Sequence, residues 1–222
     1  IRFMDKIKYM DYSFCTTDPK ALNIDKYKVS FIPNPVDESL DDMKVYENQV
    51  AEYDLFFAMS HGVHRGVLKK GKFDERENLI NYLIKNNPHL KFNIFGMNNI
   101  QPIWGDEFKR NLFNSKIALN LSQGKPLKYY SSDRMAQLMG NGIATLVDKR
   151  TKLNKLFSDK EVVFYNSKKD LNKKLNLMIK NNNLRYKLAQ KGRINYHKKY
   201  NSTLVAEYII CKTFGIKKIF NW

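Results

Sequence analysis

A glycine-rich basic loop is the first stretch of the sequence whose residue types could do chemistry. It follows an apolar run and carries three glycines between His61 and Lys72. Glycines let a backbone approach a ligand closely, and side-chain cations bind the oxygens of a diphosphate. His64 is a candidate catalytic base, because histidine titrates near neutral pH. The alternative is a solvated loop with exposed histidines. We expect a diphosphate to be bound by four members of the loop: Gly62, Arg65, Lys69 and Lys70.

A second basic stretch lies at the start of a predicted helix. An apolar run ahead of it predicts a strand, and a Gly/Pro loop at 122–126 joins the strand to the helix. The first amides of a helix have no partner inside the helix and attract anions. An ordinary N-cap is the alternative, since serine and aspartate often cap helices. We expect a phosphate to be bound around this helix start by Lys128, Tyr130, Ser131, Ser132 and Arg134.

Further along this helix, Asp133 and Gln137 are candidate ligands for the hydroxyl groups of a ribose or a sugar. They lie about one turn apart and therefore share one face. Asp133 is the second catalytic candidate; the alternatives are an ion pair for Asp133 and an ordinary surface position for Gln137. After the predicted strand at 92–95, a nucleotide base could lie against Gly96, Met97 and Asn98, although a plain strand-to-helix turn is equally consistent with these residues.

Alternating strands and helices must position these residues. Apolar runs at 55–59, 92–95, 117–121, 143–147 and 162–165 predict five strands, and patterns at 73–86, 106–113, 132–139 and 153–157 predict helices between them. Strands that are apolar throughout and alternate with helices indicate a parallel sheet covered on both faces. The fold class is therefore α/β and Rossmann-like. Ligands of such sheets bind at the carboxyl ends of the strands, so we expect the two basic stretches to meet there.

The last part of the chain predicts a helical C-terminal extension, with helices at 170–180, 184–200 and 203–220. From residue 166 to residue 222, fourteen Lys or Arg accompany two acidic residues. Three interpretations stay open: a solvated basic surface, attachment to an anionic membrane leaflet, and nucleic-acid binding. Nucleic acid is the least favoured partner, because no nucleic-acid-binding motif accompanies the charge.

Composition limits the classes of protein. The 222 residues are 43% hydrophobic with a net charge of +17, so the chain can bury a core and calls for a negatively charged partner. Cys15 and Cys211 lie far apart, which suits a reducing compartment. No apolar run approaches the roughly 20 residues that cross a membrane, and no signal peptide is recognisable in these 222 residues. The histidines and cysteines lack metal-ligand spacing.

The first 50 residues differ from the rest. They predict two short strands, at 11–17 and 28–32, and the second ends at Pro33 and Pro35, which stop a regular strand. Two strands cannot bury a core alone. We therefore predict three parts: residues 1–50 as the remnant of an N-terminal lobe plus a linker, 51–202 as the ligand-binding lobe, and 203–222 as a terminal helix.

Four motifs in this order resemble a known family: FIPNPVD at 31–37, the basic loop at 61–72, FNIFG at 92–96 and YYSSDRMAQLMGNGIATLVD at 129–148. Over about 30–200 the sequence resembles the C-terminal, donor-binding half of GT-B fold glycosyltransferases, and is most similar to the CgeB/spore-maturation-like branch of glycosyl transferases group 1. The resemblance implies a lobe that binds a nucleotide-sugar, a missing N-terminal lobe, and hexosyl or pentosyl transfer without a cofactor or a metal ion.

The resemblance also implies a biological setting. The acceptor would be a glycan or a lipid-linked glycan of surface-polysaccharide or lipopolysaccharide assembly, and the enzyme would be cytoplasmic or peripheral on the inner face of the membrane. Retaining members carry two glutamates separated by seven residues around this helix, but the corresponding positions here are Tyr129 and Gln137. The alternative is therefore a non-catalytic nucleotide- or anion-binding module, or a degenerate glycosyltransferase scaffold. Without the upstream lobe, we expect nucleotide binding but poor sugar transfer.

Overall fold

The computed structural model of the chain describes residues 3–60, 75–220 and 222. Its strands form two sheets. The helices are α1 (Phe3–Lys6), α2 (Glu75–Asn86), α3 (Gly105–Phe113), α4 (Asp133–Gly140), α5 (Lys168–Lys180), α6 (Asn182–Lys199) and α7 (Ser202–Phe214). The strands are β1 (Ser13–Cys15), β2 (Val29–Phe31), β3 (Tyr53–Ala58), β4 (Phe92–Phe95), β5 (Ser115–Asn120), β6 (Ala144–Asp148) and β7 (Val163–Tyr165).

The larger sheet contains five strands in the order β4-β3-β5-β6-β7, and each pair of neighbours is parallel. The predicted five-stranded parallel sheet is therefore confirmed. β1 and β2 pair with each other, also in parallel, in a separate small sheet. All the carboxyl ends of the five strands lie at one edge of the larger sheet, as the parallel arrangement requires.

Helices cover both faces of this sheet, because side chains along a strand alternate between its faces. Leu55 and Phe57 of β3 pack in one core cluster, whereas Phe56 and Ala58 pack in another. The first cluster is completed by residues of α2 and α5: Ile80, Leu83, Leu171, Leu175 and Met178. The second is completed by residues of α3 and α4: Leu112 and Leu138. The predicted Rossmann-like architecture is thus confirmed.

Two of the predicted helices differ in the structure. The segment at 153–157 forms only a 3-10 turn, Leu153–Lys155. The last helix ends at Phe214, because Gly215 adopts a left-handed conformation with φ of 69° and its amide donates to the carbonyl of Cys211. The tail beyond Gly215 leads to Trp222, whose ring packs against Tyr208. None of the described helices is both long and apolar enough to span a membrane.

The linker after β2 is fastened between α4 and α6. The Asn34 side chain donates to the carbonyl oxygen of Ser131 at 2.6 Å, and the Tyr196 hydroxyl donates to the carbonyl oxygen of Asn34 at 2.9 Å. The amide of Val36 donates to the carbonyl of Tyr200 at 3.1 Å. These bonds hold the linker against the edge of the lobe that carries the candidate site. The three-part division of the chain stays a prediction.

Candidate functional site

An open cleft of about 430 Å³ lies beyond the carboxyl end of β3. Four parts of the chain line it: the end of β3 at Ala58, Met59 and Ser60, the start of α3, the exposed side of α4, and the linker at Leu40 and Asp41. The cleft therefore occupies the edge at which parallel sheets bind ligands. It is also large enough for a small organic molecule, which suits a substrate site better than a site for a single ion.

The wall formed by the start of α3 is apolar and aromatic. Ile103 and Phe108 line it, and beside them the indole of Trp104 is 55% exposed. An exposed indole in a cleft offers a flat surface on which an aromatic ring can stack. The sequence analysis missed Trp104, because a single tryptophan between a polar loop and a helix forms no motif. Its position after the turn that follows β4 was the one available signal.

The opposite wall is the polar side of α4. The other side of this helix is buried, and it carries the apolar side chains Met135, Leu138 and Met139. The positions that face the cleft are polar, as expected for a helix with one buried side. Three of the predicted site residues line the cleft together: Asp133, Arg134 and Gln137. These three residues of one helix therefore lie opposite the aromatic wall.

The contacts that hold Arg134 in place include a hydrogen bond and a cation–π contact. Its Nη1 donates to the carbonyl oxygen of Leu121 at 2.9 Å, and its guanidinium lies over the ring of Phe57 at 5.3 Å. Such a contact between a cation and an aromatic face restricts the side chain. Arg134 therefore places a positive charge at the edge of the sheet, beside the cleft.

The linker closes the far end of the cleft through Asp41. Asn141 Nδ2, after the end of α4, donates to Asp41 Oδ1 at 3.0 Å, and the amide of Asp37 donates to Asp41 Oδ2 at 3.1 Å. Burial raises the pKa of the Asp41 carboxyl, although these hydrogen bonds oppose the increase. Asp41 and Asn141 are further cleft residues that the motifs did not indicate.

The predicted phosphate site at the start of α4 is only partly as expected. The amide of Ser131 donates to the carbonyl of Thr16 at 2.9 Å, so the expectation of a free amide at Ser131 is wrong. Ser132 is the N-cap residue, and its hydroxyl donates to Asn120 Oδ1 at 3.2 Å. Tyr130 is half-buried and lies outside the set of cleft-lining residues. The segment before α4 serves mainly to attach the small N-terminal sheet.

Lys128 also connects the segment before α4 to the small N-terminal sheet. Its Nζ lies 2.6 Å from Asp18 Oδ2 and 4.7 Å from the centre of the Tyr129 ring. The carbonyl of Lys128 also accepts a hydrogen bond from the amide of Asp18 at 3.0 Å. Its ammonium group is thus paired with a carboxylate in this structure, and the role of Lys128 as a phosphate ligand stays a prediction.

The residues after β4 have structural contacts of their own. Met97 is 1% exposed and packs in the core, so its side chain is not accessible to a base. Gly96 is crowded against β3, and Asn98 donates from Nδ2 to Asn81 Oδ1 at 3.2 Å. Binding of a nucleotide base by these three residues stays a prediction.

Five of the predicted site residues lie outside the described residues: Gly62, His64, Arg65, Lys69 and Lys70. Whether the basic loop reaches the carboxyl edge of the sheet therefore stays a prediction. Within the described ranges, no cluster of three or more His, Cys, Asp or Glu side chains could hold a metal ion.

Comparison with known proteins identifies the family. The model of the glycosyl transferase-like family matches residues 75–210, which is more than half of the chain. The chain therefore belongs to the glycosyl transferase-like family. A search of proteins with curated functions gave no match.

Solved structures share the fold. TarM of S. aureus superposes with a TM-score of 0.66 at 15% identity, over 95% of this chain and 45% of TarM. HepE of Anabaena, solved with UDP and glucose, superposes with a TM-score of 0.66 at 9% identity, over 95% of this chain and 65% of HepE. A glycosyltransferase of Rickettsia africae gives a TM-score of 0.62 at 10% identity, over 97% of this chain and 68% of that chain. The fold is that of the C-terminal lobe of GT-B enzymes, and the chain spans about half of TarM.

Proposed function

We propose that this chain is the donor-binding lobe of a glycosyltransferase and that the cleft beyond β3 binds the nucleotide-sugar. The observation that carries the proposal is the pairing of an aromatic wall with a polar wall at the carboxyl edge of a parallel sheet. Membership of the glycosyl transferase-like family supports it. So does the likeness to HepE, which was solved with UDP and glucose.

The two walls suggest how the donor lies. The base stacks on the indole of Trp104, and the ribose hydroxyls bond to Gln137 and Asp133, whose side chains offer acceptors. The diphosphate lies towards Arg134, and this fixed cation stabilises the negative charge that develops as the nucleoside diphosphate leaves. Contributions from the basic loop, including Arg65 and Lys69, remain part of the proposal, with His64 as a candidate base.

The acceptor and the setting are also proposals. We propose that a hexosyl or pentosyl group passes to a glycan or lipid-linked acceptor of the cell surface, without a metal ion, in the cleft between this lobe and an upstream lobe. TarM, which shares the fold, was solved with UDP and α-GlcNAc-glycerol. The assignment to the CgeB/spore-maturation-like branch, and to lipopolysaccharide in particular, rests on the sequence motifs.

We further propose that the protein works in the cytoplasm, at the inner face of the membrane. The support is the C-terminal tail, where Lys212, Lys217 and Lys218 lie among exposed apolar side chains. Basic residues beside exposed apolar side chains bind the anionic inner leaflet by charge and by insertion.

A second candidate function is a binding module without catalysis. It is favoured by Tyr129 and Gln137, because neither position supplies the carboxylate that retaining relatives of group 1 place there. Such a module would bind the nucleotide in the cleft but would not catalyse sugar transfer.

Nucleotide titration tests the proposed function. We expect the purified chain to bind UDP or GDP saturably in isothermal titration calorimetry. Trp104→Ala should weaken that binding roughly 5- to 150-fold, because stacking of a base on an aromatic side chain is worth about 1–3 kcal/mol. Phe113→Ala is the matched control, since Phe113 is an exposed aromatic residue of α3 outside the cleft.

Two results would contradict the proposal: no saturable binding of either nucleotide, or equal affinities for the Trp104→Ala and Phe113→Ala variants. Binding that is retained, with no sugar transfer or UDP-sugar hydrolysis when the upstream lobe is supplied, would favour the module.

A further inference from the structure

A second cavity, of about 200 Å³, lies at the same edge of the sheet but against the opposite face from the cleft. The ends of β5, β6 and β7 and the starts of α2 and α5 form it. Leu121 lines it, and the carbonyl of Leu121 accepts the hydrogen bond from Arg134, which lines the cleft. The two cavities are therefore neighbours across the sheet, and the proposed donor site does not use the second one.

Tyr165 at the end of β7 lines this second cavity and is 3% exposed. Within the described part of the chain, its buried hydroxyl has no hydrogen-bond partner. A buried hydroxyl without a partner costs about 1–3 kcal/mol, so such groups usually have a reason to be present. Burial, followed by the charge of Asp148, raises the pKa of Tyr165, so the phenol keeps its proton and offers a donor.

The groups around Tyr165 favour an anion. Asp148 accepts from Arg150 Nη2 at 2.6 Å and from Arg150 Nε at 3.0 Å, so its charge is already paired. Ser167 caps α5 by accepting from the amide of Asp170, and the two preceding amides of this 13-residue helix, those of Lys168 and Lys169, have no partner within the helix. Lys168 adds an ammonium group to the lining, and exposed Glu75 is the remaining carboxylate there.

We propose that this cavity binds the phosphoryl group of a small phosphorylated ligand, through the Tyr165 hydroxyl, the amides at the start of α5 and the ammonium group of Lys168. A phosphoryl group accepts hydrogen bonds in several directions, which matches donors that come from a strand end, a helix start and a long side chain. The volume leaves room for the organic part of a phosphomonoester. This site is independent of the nucleotide-sugar cleft.

The test is calorimetric titration of the chain, in a phosphate-free buffer, with inorganic phosphate and separately with glycerol 3-phosphate. We expect saturable binding that weakens roughly tenfold or more in Tyr165→Phe, because a hydrogen bond to a charged group is worth about 1.5–3 kcal/mol. The melting temperature of Tyr165→Phe should not fall, since the substitution removes a hydroxyl that has no partner in the described structure. Tighter binding of glycerol 3-phosphate identifies a phosphomonoester as the ligand, and tighter binding of phosphate identifies the free ion.

Lys168→Gln provides a second variant if Tyr165→Phe fails to fold, and exposed Lys173→Gln on the same helix is its control. We expect the first to weaken phosphate binding and the second to leave it unchanged. Absence of saturable binding in the millimolar range would overturn the proposal, as would equal binding by the wild type and both site variants. Loss of phosphate binding in saturating UDP would place the phosphate in the donor cleft, and would leave the proposed function standing.

Discussion

At the scale of single residues, Asp18 and Lys128 join the small N-terminal sheet to the segment before α4. The carboxylate of Asp18 accepts from the amides of Lys20 at 2.9 Å and Ala21 at 3.3 Å, in addition to its ion pair with Lys128. Burial opposes ionisation of Asp18, but the hydrogen bond from Lys128 and those from the two amides outweigh it and lower its pKa. The folded chain thus favours the ionised carboxyl.

We predict that Asp18→Asn lowers the free energy of unfolding by roughly 1 kcal/mol at pH 7, because Lys128 is half-exposed and solvent screens the pair. A carboxyl whose pKa is lower in the folded state stabilises the fold above its unfolded pKa of about 3.9. This stabilisation is lost as the pH falls through the folded pKa. Urea unfolding of both proteins should therefore show a difference at pH 7 that shrinks below about pH 4.

The exposed Asp25→Asn variant is the control for this prediction and should match the wild type at both pH values. A pH-independent difference between Asp18→Asn and the wild type would show that the charge of Asp18 is not what stabilises the contact.

At the scale of elements, the contact between the ends of β3 and β4 supports the floor of the cleft. The amide of Met59 donates to the carbonyl of Phe95 at 3.1 Å, so the pairing of β3 with β4 continues one residue beyond the end of β3. Gly96 follows with φ of 83°, and a Cβ atom there would lie 1.7 Å from the carbonyl oxygen of Met59. A side chain at this position would separate the strands just where Met59 lines the cleft.

We predict that Gly96→Ala lowers the free energy of unfolding by about 3 kcal/mol or more, because overpacking against the backbone adds to the strain of positive φ. Gly215→Ala is the control, since Gly215 has φ of 69° but a Cβ there would meet no described atom within 4 Å. It should cost about 1 kcal/mol. Denaturant unfolding measures both values, and equal losses would show that crowding at Gly96 has no effect.

At the scale of the whole molecule, the surplus positive charge and the exposed tail act together. Phe214 is 76% exposed and Ile219 is 92% exposed, and Lys217 and Lys218 lie between them in the sequence. Each lysine near an anionic surface contributes about 1 kcal/mol, and apolar side chains add to this by leaving water. The tail is therefore the surface that we expect to meet a membrane.

We predict that the chain binds vesicles of phosphatidylcholine with phosphatidylglycerol but not vesicles of phosphatidylcholine alone. The double variant Phe214→Ser/Ile219→Ser should reduce binding roughly tenfold or more, since burying each such side chain is worth about 1.5–3 kcal/mol. Cosedimentation at low and high salt measures it, and salt should weaken the binding. Ile194→Ser, at an exposed position of α6, is the control. An equal loss of vesicle binding in that variant would show that any exposed apolar side chain contributes and that the tail is not the specific binding surface.

The amino-acid sequence by itself determined the elements and their order. Continuous apolar runs such as 117–121 and 143–147 predicted buried parallel strands, which the structure confirms, and the spacing of Asp133 and Gln137 predicted that they share one face of a helix. Both signals are local, because strand and helix periodicity depends on neighbours a few residues away. The shared face of Asp133 and Gln137 followed from that periodicity, and the rule that ligands bind at strand carboxyl ends predicted the edge of the sheet at which it lies.

Tertiary structure alone decided which distant residues became partners. The pairing of Lys128 with Asp18, the aromatic wall at Trp104 and the unpartnered hydroxyl of Tyr165 join segments that are far apart in the chain. A lysine beside a helix start reads the same in the sequence whether it binds a phosphate or an aspartate 110 residues away. The outcome depends on how the elements dock, and docking is set by the summed burial of many side chains, which no local pattern encodes.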